Sequence, residues 1–339
     1  MPLRLNADIL ELKTRHPFII ARGSQDTYRT VAIRLVDENG IEGWGEAAPQ
    51  RFYGETPETV LAALEVYATV LPEDPVALDD AEARFESVLT GNHAARAALS
   101  GALHDLVGKR LGIPVYRLFG LDPARCPIST FTIGIDTPER IRLKVQEAAE
   151  YPVLKIKLGT ADDLAILRTI REATGKEIRV DANGGWTRKQ AIRMLPVLEE
   201  FGVTVLEQPL RPDDLDGLAL VTRQSRIPVI ADESCLTARD IPPLVGKVDG
   251  INLKLAKTGS LREALRMIAV ARAHHLMVMV GCMIETSVGI TAAAQVCPLV
   301  DICDLDGAAL LASDPYQGAT IEGGRLRLPE GPGLGLSRR

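Results

Sequence analysis

The stretch VLKIKLGTADDLAILRTIREATGKEIRVDANGG, Val153–Gly185, decides the fold. It opens on a short β-rich run, Val153–Leu158, that carries two lysines two residues apart. Asp163–Ala173 follows with apolar residues three and four apart, the spacing of one buried helix face. Ile178–Val180 then returns to a strand-like pattern. Strand, helix and strand in about 30 residues make one parallel crossover unit. The alternation continues on both sides of it. Further runs fall at Ile128–Ile133, Val203–Leu206, Val229–Ala231, Ile251–Leu255, Met277–Val280 and Ile302–Leu305, with helices such as Leu261–His274 between them. Eight runs at a period of about 25 residues predict an α/β fold with a parallel barrel.

The N-terminal third reads differently. Thr30–Val36 is β-rich, Asn39-Gly40 marks a tight turn, and Ile41–Gly45 resumes the strand pattern. Pro57–Leu71 has helical spacing, with Thr56 placed to cap it and Pro57 at its first position. Ala94–Arg110 is a second, Ala- and Leu-rich helix that stops at Gly112 and Pro114. A chain of 339 residues exceeds what one compact core usually holds. The expected organisation is an α+β capping domain over residues 1–115 and a barrel over 116–312. A Gly- and Pro-rich segment, 313–339, is expected to return to the cap.

Composition narrows the partners. A net charge of −6, with Lys and Arg scattered, does not suit a phosphate backbone and points to a small substrate, not a nucleic acid. The five cysteines are odd in number and form no CxxC pair, so a disulfide framework or zinc knuckle is not expected and a reducing cytoplasm fits. The opening MPLRLNADIL lacks the basic and apolar regions of a secretory leader. The long apolar stretch Leu276–Val300 contains Glu285 and several Gly, Ser and Thr residues, which predicts a buried strand and helix in place of a membrane span.

Charge collects where the predicted strands end: Lys155-Ile-Lys157, Asp181-Ala-Asn183, Glu207-Gln-Pro209, Asp232-Glu-Ser234, Lys254, and Asp304-Leu-Asp306. Barrel enzymes assemble their sites at this rim. Asp181, Glu207 and Asp232 come from three successive strands, and three carboxylates facing one space require a cation; hard oxygen ligands suit Mg²⁺. Lys155 and Lys157 project to the same side. Two adjacent ammonium groups are expected to depress each other's pKa, which suits a base. Lys254 lies four strands further round, on the opposite wall, so one lysine faces each side of a substrate carbon. Lys257, just beyond, reads as a solvated charge. Asp304 and Asp306 share one side of a strand and suggest a second cation site, such as a substrate ammonium. None of the five histidines falls at a strand end, which excludes a histidine base there.

With these residues in place, the sequence resembles the enolase superfamily, in its muconate-lactonizing-enzyme subgroup, and within it the dipeptide epimerases. The resemblance rests on PFIIARGSQ (Pro17–Gln25), GWGEAAP (Gly43–Pro49), LKIKLG, VDANGGW, LEQPL, ADESC, INLKLAKTG, GCMIET and DLDG, and so covers the chain from cap to barrel. It implies a (β/α)7β, TIM-like barrel. It implies that Asp181, Glu207 and Asp232 bind Mg²⁺, with Asn183 and Glu233 placed behind them. Lys157 and Lys254 would be the acid/base pair, assisted by Lys155. Asp304 and Asp306 would hold the dipeptide ammonium, and Arg22, in a loop over the mouth, a Glu side-chain carboxylate. Cys282 and Met283 would line the pocket, and Arg51, Tyr53 and Glu55 would shape it from the cap. The implied reaction is 1,1-proton transfer through an enediolate at the C-terminal α-carbon of L-Ala-D/L-Glu, from cell-wall turnover. Alternatives are epimerisation of dipeptides with other side chains, or an o-succinylbenzoate synthase or N-acylamino-acid racemase type of reaction. Barrels of this family often form homo-oligomers, and the sequence fixes no number.

Overall fold

The structure is a computed structural model that describes residues 3–339; Met1 and Pro2, the start of the stretch read for a leader, lie outside the described residues. The chain begins with an antiparallel sheet of β1 (Arg4–Ile20), β2 (Gly23–Val36) and β3 (Glu42–Ala47), in that order. The turn between β2 and β3 is held by Asp37, whose Oδ1 accepts from the Asn39 and Ile41 amides, while Gly40 takes the left-handed conformation. The length of β1 was not legible, because Arg, Asp, Glu and Lys alternate with its apolar residues and Pro17 interrupts the pattern. Its register with β2 breaks between Lys13 and Phe18.

Two of the cap helices follow the expected signals. Pro57–Ala68 is capped by a reciprocal pair, Thr56 and Thr59. His93–Leu111 is buried over most of its length, and Gly112 ends it in the left-handed conformation. Its alanines allow β3 to approach closely: a Cβ at Gly45 would overlap the Ala98 carbonyl oxygen, and one at Gly43 that of Ala102. Val31, Ile33, Leu35, Val60, Leu64, Tyr67, Phe85 and Leu99 complete a core separate from that of the barrel.

The barrel strands are β4 (Phe131–Ile133), β5 (Val153–Lys157), β6 (Glu177–Asp181), β7 (Val203–Glu207), β8 (Val229–Ala231), β9 (Gly250–Leu253), β10 (Met277–Gly281) and β11 (Ile302–Asp304). They run parallel, in sequence order, and each falls within or overlaps a predicted run. A bridge between Ser129 and Cys303 closes the ring, with the Thr130 amide donating to the Cys303 carbonyl at 3.2 Å. Val205, Ile230, Met279 and Ile302 fill the interior below the mouth. Two strand boundaries shift by more than one residue. Ile128, Ser129 and Thr130 precede β4: Ile128 bridges Arg325, and the amides of Ser129 and Thr130 donate to the Gly324 and Cys303 carbonyls. The run predicted to end at Leu255 stops at Leu253, since Leu255–Thr258 is a helical turn.

The stretch Leu276–Val300 divides into β10 and the helix Ser287–Ala294, and no helix among the described residues is long and apolar enough to cross a membrane. All five cysteines are free. The C-terminal segment contacts the end of the long cap helix: Leu334 donates its amide to Asp105 at 2.7 Å, and Val115 and Gly333 exchange backbone bonds with Gly333 and Ile113.

The packing of β3 gives the first prediction. Gly45→Ala forces the strand off the helix and costs roughly 1–3 kcal/mol. Its thermal unfolding midpoint should fall well below that of the parent protein; an unchanged midpoint would show that strand and helix separate freely.

Candidate active site

Register sets the site. Lys157 pairs with Asp181 across β5 and β6, and Asp181 with Glu207 across β6 and β7, so three charged residues stand at one level. Asp232 follows β8 directly, where its amide donates to Gln208 Oε1 at 2.8 Å. Gln208 itself has φ of 33° and Asn183 φ of 45°, left-handed conformations held at the rim by their hydrogen bonds. Asp181, Glu207 and Asp232 are almost wholly buried, with ligating oxygens within 4.8 Å of one another.

The lysines lie on these acids. Lys155 Nζ is 2.7 Å from Glu207 Oε2, 2.7 Å from Asp304 Oδ2 and 3.2 Å from Asp181 Oδ2. Lys157 reaches Asp181 Oδ2 at 2.7 Å, and Lys254, from the far wall, reaches Asp232 Oδ2 at 2.7 Å. The expected depression of the lysine pKa does not appear at Lys155. Burial opposes the charge on Lys155, but Asp304, Glu207 and Asp181 outweigh it and hold the pKa well above the usual lysine value. Burial likewise opposes the charge on Lys254, and Asp232 and Glu207 raise its pKa. Each ammonium is closer to carboxylates than to another ammonium. Lys257 corrects a second expectation. It is 1% exposed, donates to the carbonyls of Asn252 at 2.7 Å and Cys235 at 2.9 Å, and stands 2.7 Å from Asp232 Oδ1. The helical turn after β9 carries it inward, beneath the mouth.

A divalent cation fits this donor set. Around the mouth the acids Asp181, Glu207, Asp232, Glu233, Asp304 and Asp306 exceed the cations Lys155, Lys157, Lys254, Lys257 and Arg22 by one. Burial and the charge of Asp181 push the Glu207 carboxyl up to about 7. Asp232 Oδ1 stands 2.7 Å from Lys257 Nζ, and no group among the described residues meets it in hydrogen-bonding geometry. Three oxygen ligands of this kind suit Mg²⁺.

Asp304 and Asp306 differ in partners. Asp304 accepts from the Thr130 hydroxyl and pairs with Lys155. Asp306 accepts from the Thr132 amide at 2.6 Å and its hydroxyl at 3.2 Å, and forms no ion pair among the described residues. Burial and the Asp304 charge push Asp306 up to about 7. Arg22 enters from the cap. Its Nη1 donates to Glu233 Oε1 at 2.6 Å and to the Asn183 carbonyl at 2.9 Å, and its guanidinium lies 4.4 Å from the centre of the Phe52 ring. Asn183 also donates to Asp181 Oδ2 at 3.2 Å and Glu233 Oε1 at 3.3 Å, which links the loop arginine to the acid cluster.

One cavity collects Arg22, Lys155, Lys157, Asn183, Asp232, Glu233, Lys254, Cys282, Met283, Asp304 and Asp306. Tyr53 lines it, together with Gln50 and Phe52, which the sequence reading missed. The signal for Phe52 was a large aromatic in a polar loop; it is 46% exposed. Arg51 and Glu55 do not line it. Glu55 instead accepts from the amides of His93 and Ala94, at the start of the long cap helix. Asn252, also unforeseen, donates to Glu207 Oε1 at 2.8 Å. Glu285, for which the sequence offered no role, is buried, accepts from the Met283 amide and is pushed up to about 8 by burial and by Glu46. The histidines lie away from the mouth, as in the His16–Glu147 pair and the buried His104.

Residues 140–338 match the enolase C-terminal domain-like family, and residues 5–120 match the mandelate racemase/muconate lactonizing enzyme N-terminal domain. The L-Ala-D/L-Glu epimerase of Bacteroides thetaiotaomicron is 43% identical over 97% of this chain and 86% of its own length. A dipeptide epimerase from Enterococcus faecalis V583, in complex with Mg and the dipeptide L-Leu-L-Tyr, superposes with a TM-score of 0.94 at 34% identity, over 99% of this chain and all of the other. A substrate-liganded complex of the L-Ala-D/L-Glu epimerase from Bacillus subtilis gives 0.94 at 30% identity, over 99% and 98%.

The lone carboxylate generates a pH prediction. Asp306 titrates near 3.9 in an unfolded chain and at about 7 when folded. Its ionisation therefore disfavours folding increasingly from about pH 4 to about pH 7, and fully above that. Asp306→Asn, which can keep both Thr132 bonds, should raise the unfolding midpoint at pH 8 by about 3 °C or more. At pH 4 the two proteins should unfold together; an equal gain at both pH values would refute the ionisation argument.

Proposed function

Since the chain belongs to the enolase superfamily, in its muconate-lactonizing-enzyme subgroup, we propose that it is a dipeptide epimerase, an isomerase that inverts the C-terminal α-carbon of L-Ala-D/L-Glu. The observation that carries this reading is the pairing of two lysines on opposite walls with one unpaired carboxylate between them and the barrel seam. Lys157 and Lys254 stand on strands four apart in the ring. Asp306 faces the same cavity without a cation.

In this reading Asp181, Glu207 and Asp232 hold Mg²⁺, which when bound stabilises the negative charge that develops on a substrate carboxylate. One lysine removes the α-proton and the other returns a proton to the opposite face, so configuration inverts. Lys155, fastened by three acids, keeps the charge balance beside Lys157. Asn183 and Glu233 orient Asp181 and Arg22. The substrate ammonium lies against Asp306, with Asp304 behind it. Lyase and N-acyl substrates bring no ammonium and leave Asp306 unpaired, which disfavours those readings. Both bonds of Arg22 leave from Nη1, so Nε and Nη2 remain for a side-chain carboxylate. This supports Glu as the second residue. Cys282 and Met283 form the wall beside it.

The first experiment is proton NMR in D₂O with Mg²⁺ and L-Ala-L-Glu, beside L-Ala-L-Phe, L-Ala-L-Lys and an N-succinyl amino acid. Exchange and inversion of the Glu dipeptide alone is expected. Inversion of every dipeptide would remove the role given to Arg22, and activity on the N-succinyl compound alone would overturn the reading. Lys157→Ala should lower inversion by about 10³-fold or more while α-proton exchange of one stereoisomer persists through Lys254. Normal inversion in that variant would rule out the two-base assignment. Asp306→Asn should raise KM for the free-amine dipeptide about tenfold and leave Mg²⁺ affinity unchanged.

A further inference from the structure

Three of the five cysteines lie in a row along the barrel seam, toward the end opposite the mouth. Cys303 is on β11, where its carbonyl accepts from the Thr130 amide and its backbone bridges Ser129. Cys297 opens the short turn Cys297–Leu299 that precedes β11, and its Sγ is 3.7 Å from that of Cys303. Cys126 follows the turn Pro123–Arg125, ahead of β4 on the other side of the seam. The two turns pack on each other, and Cys126 lies against the barrel core to which Cys297 and Cys303 belong. Cys297 therefore stands between a thiol on its own side of the seam and one across it.

The row does not converge as a metal site does. Among the described residues, only Asp181, Glu207 and Asp232 bring three ligating atoms within 4.8 Å of one another. Thiol chemistry remains. Cys297 and Cys303 are fully buried, whereas Cys126 and Cys282 are part-exposed. These last two differ in reactivity, because the thiolate is the nucleophile. The Cys297 thiol donates to Cys126 and holds its pKa below the usual thiol value. Burial and the charges of Asp306 and Asp304 hold Cys282 well above that value, and burial pushes Cys235 up to about 12. A small oxidant that arrives from solvent meets its most reactive sulfur at Cys126, with Cys297 behind it.

We propose that Cys126 and Cys297 form a peroxide-responsive thiol pair whose oxidation cross-links the two sides of the barrel seam. The Cys126 thiolate attacks hydrogen peroxide. An S–O bond forms as the O–O bond breaks, and the departing hydroxide takes up a proton to become water, which leaves a sulfenic acid. The Cys297 sulfur then attacks the Cys126 sulfur. The S–S bond forms, the S–O bond breaks, and the Cys297 proton leaves with the hydroxide as a second water. The two sulfurs together give up two electrons, and the peroxide is reduced by them. The cross-link closes a loop that holds every barrel strand from β4 to β10. A loop of that length is where a disulfide restricts the unfolded chain most. The bond also lies where backbone pairing between neighbouring strands is shortest. The pair acts independently of the reaction at the mouth, so mass and thermal unfolding report it without an activity measurement.

In the test, the folded protein is treated with hydrogen peroxide, denatured, alkylated with N-ethylmaleimide and digested with cleavage before Asp301, which separates Cys297 from Cys303. The peptides that hold Cys126 and Cys297 should be joined, lighter by two hydrogens than their sum. The unfolding midpoint of the treated protein should rise by about 5 °C, and dithiothreitol should reverse both changes. Cys126→Ser, at a part-exposed position that tolerates a hydroxyl, should show neither change. Cys303→Ser should show both, measured against its own untreated form. Oxidation that stops at a sulfenic or sulfinic acid on Cys126, a disulfide between Cys297 and Cys303, or a cross-link that requires Cys303 would overturn the pair. So would thiols that stay reduced, or a joined protein that unfolds at or below the untreated midpoint.

Discussion

Lys155 sits where three strand ends and the barrel seam converge, with its ammonium against Glu207, Asp304 and Asp181 and only 2% of its surface exposed. A buried charge is tolerable only when surrounded by opposite charge and hydrogen bonds. That constraint explains much of the architecture near it. The strands must bring their acids to one level, which the β5–β6–β7 register does. The rim loops must be stiff, which Gln208 and Asn183 achieve in conformations that cost energy elsewhere. Truncating Lys155 would take from Glu207 and Asp304 their ammonium partner and leave Asp181 with Lys157.

The cap is tied to this network by charge as much as by apolar packing. Glu46, on β3, accepts from the Thr286 and Gly289 amides at the start of the helix that follows β10. An anion at a helix N-terminus is a favourable anchor, and here it lies between the two hydrophobic cores. Arg22 makes the second tie, across the mouth to Glu233. The side chain that reaches over the cavity is thus held by the acids below it, and the same contact that closes the cap positions a guanidinium at the cavity wall.

The barrel was legible because two periods, alternation of strands with helices and charge at strand ends, both leave marks in one dimension. Asp163–Ala173 was bounded correctly from helical spacing alone. The acids Asp181, Glu207 and Asp232 could be grouped before any coordinates, since parallel strands fix which ends face one way. What the sequence concealed depends on contacts between distant segments. Lys257 looked like an exposed charge because nothing local signals three carbonyls waiting beneath it. Phe52 and Gln50 join the mouth only through the docking of the cap. Glu55 was assigned to the cavity by proximity in the chain, yet its carboxylate serves the helix that starts at His93. For Lys155 the neighbouring ammonium is outweighed by the acids Asp304, Glu207 and Asp181, which lie on other strands.

The ring closes at its least regular point. Between β4 and β11 a single bridge and one backbone bond from Thr130 stand where other neighbours have longer ladders. Side chains complete the join: Ser129 accepts from the Leu305 amide, Thr130 donates to Asp304, and Thr132 donates twice to Asp306. The two aspartates therefore work as stitches as well as charges. On the proposed function the substrate ammonium would meet the same two aspartates that stitch this seam, so a bound cation would draw the two sides of the ring together. Amide hydrogens along that seam would then register occupancy from the backbone.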